Sequence, residues 1–326
     1  MSCKVCVLGT GAIGTALARL MASNGHRVAM WGIEEDVVGH IARWRRNPRY
    51  LPGVPLHRLV SATMELAEAM DGAEMAVVAV PSQAVREVAK HLAAHLWEDA
   101  LVLNVAKGLE GRTGLRMSQV LGQELPEARI ATMGGPALSH EVGRRRPTVL
   151  VVASQASGAA QAVARVLEGQ GVRVLTTDDV CGVEMAATLK NVYAIALGMC
   201  ESLGANAKAS LACLALREMV HIATALGARP ETILGWAGLG DLLASGYSRK
   251  GRNLTLGRLL GRGGPWQSYL ERTTVEGVQA IGPLRLLLQE RGLEAPILEA
   301  VAVTLEGREE AKAAVRRLIS SLPLAL

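Results

Sequence analysis

Phenylalanine is missing from this chain altogether, and tryptophan and tyrosine together supply only 3% of its 326 residues. Half of the residues are nonetheless hydrophobic, so the cores must be packed from Ala, Val, Leu, Ile and Met, a composition that favours close helix packing. The same scarcity removes the stacking platforms that single-stranded nucleic acid requires, since no basic block carries interleaved aromatics. The net charge of +5 and the pI near 9.1 therefore point to anionic small molecules rather than nucleic acid. The densest basic run, 144–146, reads as a solvated loop. Cysteines are few and odd in number: Cys3, Cys6, Cys181, Cys200 and Cys213. Only Cys3 and Cys6 are close, and along one strand they do not suit a zinc knuckle, so no metal site is expected. All five read as reduced core thiols of a cytoplasmic protein. No secretory pattern precedes the first strand, and the longest uncharged helical stretch, 191–200, falls short of the ~20 residues that span a bilayer. Membrane insertion is therefore not expected. Internal repeats, low-complexity tracts and sustained heptad seams are absent as well.

What the chain does have is a short apolar run that breaks into glycines, KVCVLGTGAIGTALARLM. Val5, Val7 and Leu8 read as a buried strand and the residues after Gly14 as a helix. Gly9 makes the tight turn, Gly11 lets the backbone approach a pyrophosphate, and Gly14 lets the helix pack close to the sheet. The helix start presents unpaired N–H groups to phosphate, and 27–31 supplies the second strand after the Asn24-Gly25 turn.

A length of 326 residues favours two domains. Through the first half, short apolar strands (75–80, 100–105, 129–133, 148–153 and 172–175) alternate with helices at 35–46, 82–96 and 158–168. The pattern predicts an α/β fold with a doubly wound, largely parallel sheet. Beyond about Asp179 the strands stop, and 186–201, 210–226, 230–236, 254–260, 274–291 and 295–306 all show helical spacing. The expected division is a dinucleotide-binding domain over 1–179 and a helical substrate domain over 180–326.

Polar groups gather at the ends of the predicted strands, where a doubly wound sheet binds its ligands. Lys107 follows one strand; Gly134, Gly135 and Pro136 follow another and offer backbone N–H groups to a substrate oxygen. Lys190 lies in VEMAATLKNVYAIALG, so apolar that a charged lysine there is expensive to desolvate. Either it snorkels to the surface or it is held in a cleft for proton transfer. Asp241, among the glycines of GWAGLGDLLAS, is either a helix N-cap or an active acid. Arg252 and Asn253 stand just before a helix, a seat for phosphate or an ordinary basic loop.

Taken together, GTGAIGTALA, NPRYLPGVPL, VAVPSQ, AKGLE, GGPALSHEV, LKNVYAIALG, GANAKASL, GLGDL, GRN and VEG resemble, in order and over nearly the whole chain, the bacterial glycerol-3-phosphate dehydrogenases that work with NAD or NADP. The resemblance implies a Rossmann-like domain followed by an all-helical one, and reversible reduction of dihydroxyacetone phosphate. It implies Lys190 as acid/base, Lys107 in contact with substrate and cofactor, and Asp241, Arg252, Asn253 and Gly135 at the substrate. Ala12, Ile13, Ile33, Ser139, Arg252 and Glu276 fall at cofactor positions with Gly9, Gly11, Gly14 and Lys107. Members that prefer NADP place an arginine after the second strand; Ile33, Glu34 and Glu35 stand here, which leans toward NAD unless Arg43, Arg45 or Arg46 reaches in.

The departures are specific. The family usually reads TKG, SGP followed by Thr, and a basic residue where this chain has Ala106, Gly134, Ala137 and His140. A usual arginine after GANA is replaced by Leu214, and the loop before Arg252 is longer. Alternatives therefore stay open: a relative acting on another small phosphorylated or phosphonylated carbonyl compound, a non-catalytic nucleotide sensor, or a hydroxy-acid dehydrogenase with a carboxylate clamp. A homodimer is also left open, because the apolar helices of the second domain suit either a twin subunit or their own core.

Overall fold

Apolar residues on both faces of each short strand set the architecture of the first half. In Lys4–Leu8 (β1), Val5 and Val7 join one buried cluster while Cys6 and Leu8 join another, as a parallel strand covered on both sides requires. The computed structural model describes residues 2–248 and 251–321. The other strands are Arg27–Trp31 (β2), Val60–Thr63 (β3), Met75–Val78 (β4), Leu101–Asn104 (β5), Arg129–Gly134 (β6), Thr148–Ala153 (β7) and Val172–Thr177 (β8). Their order is β3-β2-β1-β4-β5-β6-β7-β8. Every neighbouring pair is parallel except β6 and β7.

Helices Ala12–Ser23 (α1), Glu35–Trp44 (α2), Leu66–Met70 (α3), Val85–Ala93 (α4), Met117–Glu124 (α5), Ser139–Val142 (α6) and Ala159–Leu167 (α7) cover the sheet. Leu17, Leu20, Ile41 and Val163 place α1, α2 and α7 on one face. Met70, Leu92 and Leu121 place α3, α4 and α5 on the other. The chain then continues as Val180–Cys200 (α8), Ala205–Ala225 (α9), Pro230–Leu234 (α10), Asp241–Tyr247 (α11), Arg252–Arg262 (α12), Trp266–Arg272 (α13), Glu276–Glu290 (α14), Pro296–Leu305 (α15) and Ala311–Ser320 (α16). Two compact units result: Met1–Lys107 with Leu115–Glu184, and Gly108–Gly114 with Met185–Leu326. The division falls inside α8 because Glu184 accepts hydrogen bonds from Ser118 N (2.8 Å), Ser118 Oγ (2.6 Å) and Arg116 Nη1 (2.9 Å), which tie the first turn of α8 to α5. Burial still pushes the Glu184 carboxyl upward against those donors.

Helix α8 starts six residues before the 186 expected, because Asp179 Oδ1 accepts Gly182 N at 2.8 Å and so caps the helix across a glycine that reads as a breaker. The segment Val180–Leu203 is long and apolar enough to cross a bilayer by length and composition, yet 89% of its apolar window is buried inside the protein. Its hydrophobicity is that of a core helix. Elements β3, α3, α5, α6, α11, α13 and α16 fall outside the ranges the sequence predicts; none exceeds ten residues, and β3 (VSAT) has half-polar edge character. Cys213 corrects the reading of the cysteines as core residues: it is exposed on α9, while Cys6 and Cys200 are buried and Cys3 and Cys181 partly so.

Without phenylalanine to space them, the helices of the second unit meet through glycine. A Cβ on Gly198 of α8 would lie 2.4 Å from Leu254 O, and one on Gly257 of α12 would lie 2.0 Å from Ile195 O. Gly257→Ala must therefore drive two helices apart, and we expect a loss of about 1–3 kcal/mol in urea unfolding. Gly39→Ala, inside α2 with no atom within 4 Å of its added Cβ, should instead gain about 0.5–1 kcal/mol.

Candidate active site

Three glycines of the first turn serve different ends. Gly9 has φ +117° and an added Cβ would sit 2.6 Å from Ala79 O; one on Gly14 would sit 2.3 Å from Gly9 O. The fold itself demands both. Gly11, the N-cap of α1, is extended (φ −66°, ψ 179°), and an added Cβ would meet nothing within 4 Å. Its lack of a side chain serves only what approaches the helix start at Ala12 and Ile13, which fits a pyrophosphate. Asn47 braces this turn, donating to Thr10 O (2.8 Å) and Thr15 Oγ1 (2.9 Å). The Pro- and Gly-broken stretch 47–55 reads from sequence as a loop, and nothing in it but its place at the head of the NPRYLPG motif marks this role of Asn47.

The other expected residues of the first unit stand on loops after strands. Ile33, just past β2, is 77% exposed. Lys107 is half-buried after β5, on a turn held by Asn104, whose side chain donates to Ala106 O (3.2 Å) and accepts Ala106 N (3.1 Å). Position 106 therefore needs no hydroxyl for its backbone to be fixed. Gly135, with φ +90°, follows β6 and lies against β7, an added Cβ falling 3.1 Å from Val149 O. Ser139 opens the four-residue α6.

In the second unit, the α8 residues 185–200 are apolar or glycine apart from Thr188, Lys190, Asn191 and the phenol of Tyr193. Lys190 does not snorkel: it is 7% exposed, and its Nζ donates to Ser245 Oγ at 2.8 Å and to Asp241 Oδ1 at 3.2 Å. Asp241 is 1% exposed and begins α11 without acting as its cap, the N-cap being Gly240. A π-helical turn, Trp236–Gly240, runs directly into α11 and sets its rotation. Gly238 makes that turn possible, since an added Cβ would lie 2.0 Å from Ile233 O. Ser245 stands four residues beyond Asp241 on the same helix face, with its Oγ 3.5 Å from Asp241 Oδ1. Sequence reading missed Ser245; the i, i+4 spacing from Asp241 was the available signal.

Successive residues of a helix point 100° apart, so Asn191 addresses different neighbours. Its Nδ2 donates to Glu276 Oε2 (3.1 Å) and its Oδ1 accepts Asn253 Nδ2 (2.9 Å), while Asn253 Oδ1 accepts Gly277 N (2.9 Å) at the start of α14. Arg252, first in α12 and exposed, places Nη2 3.6 Å from Glu276 Oε1. Arg252, Asn253 and Glu276 thus form one network with α8. In the loop before them, which the sequence reads as lengthened, Arg249 and Lys250 lie outside the described residues.

Comparison with known proteins agrees with this arrangement along the chain. A family model described as the N-terminus of NAD-dependent glycerol-3-phosphate dehydrogenase matches residues 4–160, and its C-terminal counterpart matches 179–316. The chain belongs to this family. It is 37% identical over 324 residues to glycerol-3-phosphate dehydrogenase [NAD(P)+] of Bacillus velezensis, covering 97% of this chain and 94% of that one. The enzyme of the same name from Chelativorans sp. is 38% identical, with 97% and 96% covered. The crystal structure of glycerol-3-phosphate dehydrogenase from Coxiella burnetii superposes with a TM-score of 0.93 at 31% identity, covering 98% of this chain and 99% of that chain.

The separate demands on the glycines give a direct test. Gly14→Ala should cost about 1–3 kcal/mol of stability. Gly11→Ala should change stability by less than about 1 kcal/mol but weaken NADH binding, measured by fluorescence titration.

Proposed function

We propose that the chain interconverts dihydroxyacetone phosphate and sn-glycerol 3-phosphate with NAD or NADP. The observation that carries the chemistry is the buried Lys190, held by one carboxylate and one hydroxyl. Bound at the glycine turn, the dinucleotide supplies or accepts the hydride. Lys190 gives a proton to the carbonyl oxygen in reduction and takes it back from the hydroxyl in oxidation. Asp241 supplies the counter-charge that lets an ammonium stand inside an apolar helix bundle, and Ser245 fixes its direction. Lys107 contributes a second positive charge against the charge that develops on oxygen.

Arg252 takes the phosphate, its guanidinium matching two oxygens at once. Asn253 has one amide N–H committed to Asn191 and a second to offer. Gly135 contributes backbone to the substrate loop. The glycine turn with Ala12, Ile13, Ile33 and Ser139 would hold the cofactor, and Arg252 and Glu276 fall at cofactor positions by the family resemblance. The first domain thus carries the dinucleotide and the helical one the proton donor. Retention of Lys190, Asp241 and Lys107 argues for an enzyme over a nucleotide sensor.

Two outcomes follow. Dihydroxyacetone phosphate should support NAD(P)H oxidation with kcat/KM at least about 100-fold above unphosphorylated dihydroxyacetone, since each charge-assisted hydrogen bond to the phosphate is worth about 1.5–3 kcal/mol. Equal turnover would remove Arg252 from the phosphate. Lys190→Met should lower kcat by about 10²–10⁴ and, by removing the ammonium that faces the buried Asp241 carboxylate, cost about 3–5 kcal/mol of stability. Adding Asp241→Asn should restore most of the stability and none of the turnover, as read by urea midpoint and steady-state rate.

A further inference from the structure

Helices α8, α11 and α12 carry Lys190, Asp241 with Ser245, and Arg252 with Asn253. They are tied together a second time, away from those residues. The tie begins at Glu201, directly after the last residue of α8. Its Oε1 accepts Arg258 Nη2 at 2.9 Å and Lys208 Nζ at 3.4 Å, while its Oε2 accepts Arg258 Nε. Arg258 belongs to α12 and Lys208 to α9, so two cations share one carboxylate. The Arg258 hydrogen bond, with Lys208 beside it, holds the Glu201 carboxyl below its ordinary value. Lys208 is only 9% exposed, so the rest of its charge has to be met inside the protein. Tyr247 meets it: the ring centre lies 4.6 Å from Lys208 Nζ, well inside the ~6 Å over which an aromatic face attracts a cation. Tyr247 is the last residue of α11, two past Ser245 and five before Arg252. It is no core residue, being 56% exposed, and its hydroxyl makes no hydrogen bond among the described residues. What it contributes is the face of its ring.

We propose that Lys208 and Tyr247 are positioning residues of the active site: the buried ammonium under the ring fixes the C-terminal end of α11, and with it the direction of Asp241 and Ser245 toward Lys190. The inference rests on the dehydrogenase reading above. Helix α11 has seven residues, and a helix this short is not held in place by its own hydrogen bonds. The π-helical turn sets its rotation at one end; Tyr247 on Lys208 sets it at the other. Asp241 and Tyr247 are six residues apart, about 9 Å along a helix axis, so the pair acts on the site through α11. Arg258 stands equally far past Arg252 on α12, and its bond to Glu201 holds α12 at the same level. One carboxylate after α8 thus fixes both partner helices, α12 through Arg258 and α11 through Lys208 and the ring of Tyr247.

The test compares Lys208→Met, Lys208→Arg, Tyr247→Leu and Tyr247→Phe by steady-state rates with dihydroxyacetone phosphate, NADH titration, and hydrogen exchange of the 241–247 amides. Lys208→Met and Tyr247→Leu should each lower kcat/KM about 10- to 100-fold, as a misplacement of about 1 Å does. Both should speed exchange of those amides about 2- to 30-fold, the range that loss of a cation–π contact supports. NADH affinity should stay close to the parent's, because the glycine turn lies on the other unit. The double variant Lys208→Met/Tyr247→Leu should lose no more than either single one, since both changes remove the same contact. Lys208→Arg and Tyr247→Phe keep a cation and a ring face, and should keep kcat/KM within about three-fold of the parent. Tyr247 is exposed, so Tyr247→Leu leaves the core intact and reports on the contact even where Lys208→Met fails to fold. A Tyr247→Leu variant with the parent's kcat/KM and exchange overturns the proposal, and so does a Tyr247→Phe variant as impaired as Tyr247→Leu. A parent that does not turn over dihydroxyacetone phosphate counts against the dehydrogenase reading instead. Exchange across 241–247 then decides the positioning role by itself: faster in Tyr247→Leu supports it, and unchanged overturns it.

Discussion

The second half of the molecule depends on one buried ion pair. An ammonium inside a bundle of Ala, Val, Leu and Ile is tenable only if a carboxylate meets it there, and Lys190 has Asp241 at 3.2 Å with Ser245 closer still. Meeting that condition constrains the surrounding backbone. The glycines at 198 and 257 bring α8 and α12 into backbone contact. A π-helical turn sets the rotation of α11. Glu218, its carboxyl pushed up by burial, accepts Tyr193 Oη at 3.0 Å and the Ile297 and Leu298 N–H groups, fastening α8 and α9 to the start of α15. The lysine is fixed because its helix is fixed from several sides.

The first half separates demands of the fold from demands of a ligand. Gly9 and Gly14 are required by protein atoms at 2.6 and 2.3 Å, whereas Gly11 is required by none. The departures from the family pattern divide similarly. Ala106 replaces a usual threonine, yet Asn104 holds that turn through the backbone. Gly134 ends β6 in register with Val151, and Leu214 is a half-buried residue on α9. Lys190, Asp241 and Ser245 are not among the positions that depart.

Much of this was legible in the sequence because its signals are local. Apolar runs that end at Gly9, at Pro81 and before the Lys107-Gly108 pair mark β1, β4 and β5, and the glycine spacing marks the nucleotide turn. Lys190 was conspicuous as a charge in an apolar helix, and Asp241 as an acid among glycines. What local reading does not give is pairing across the chain. Lys190 and Asp241 are 51 residues apart, and nothing in either segment announces the other. Ser245 and Asn47 look like ordinary polar residues until their partners are known. Short elements such as β3 and α13 hold their shape through tertiary contact rather than propensity, so their own sequences carry weak signals. The antiparallel pairing of β6 with β7 follows from a connection whose course no periodicity records.

The central claim is that the Lys190 ammonium itself moves the proton. It is tested most directly by adding small primary amines to a Lys190→Ala variant and following NADH oxidation with dihydroxyacetone phosphate. If the ammonium is the acid, turnover rises with amine concentration and tracks amine basicity, as general acid catalysis requires. A rate that stays flat across amines in a variant that still binds NADH would contradict the account.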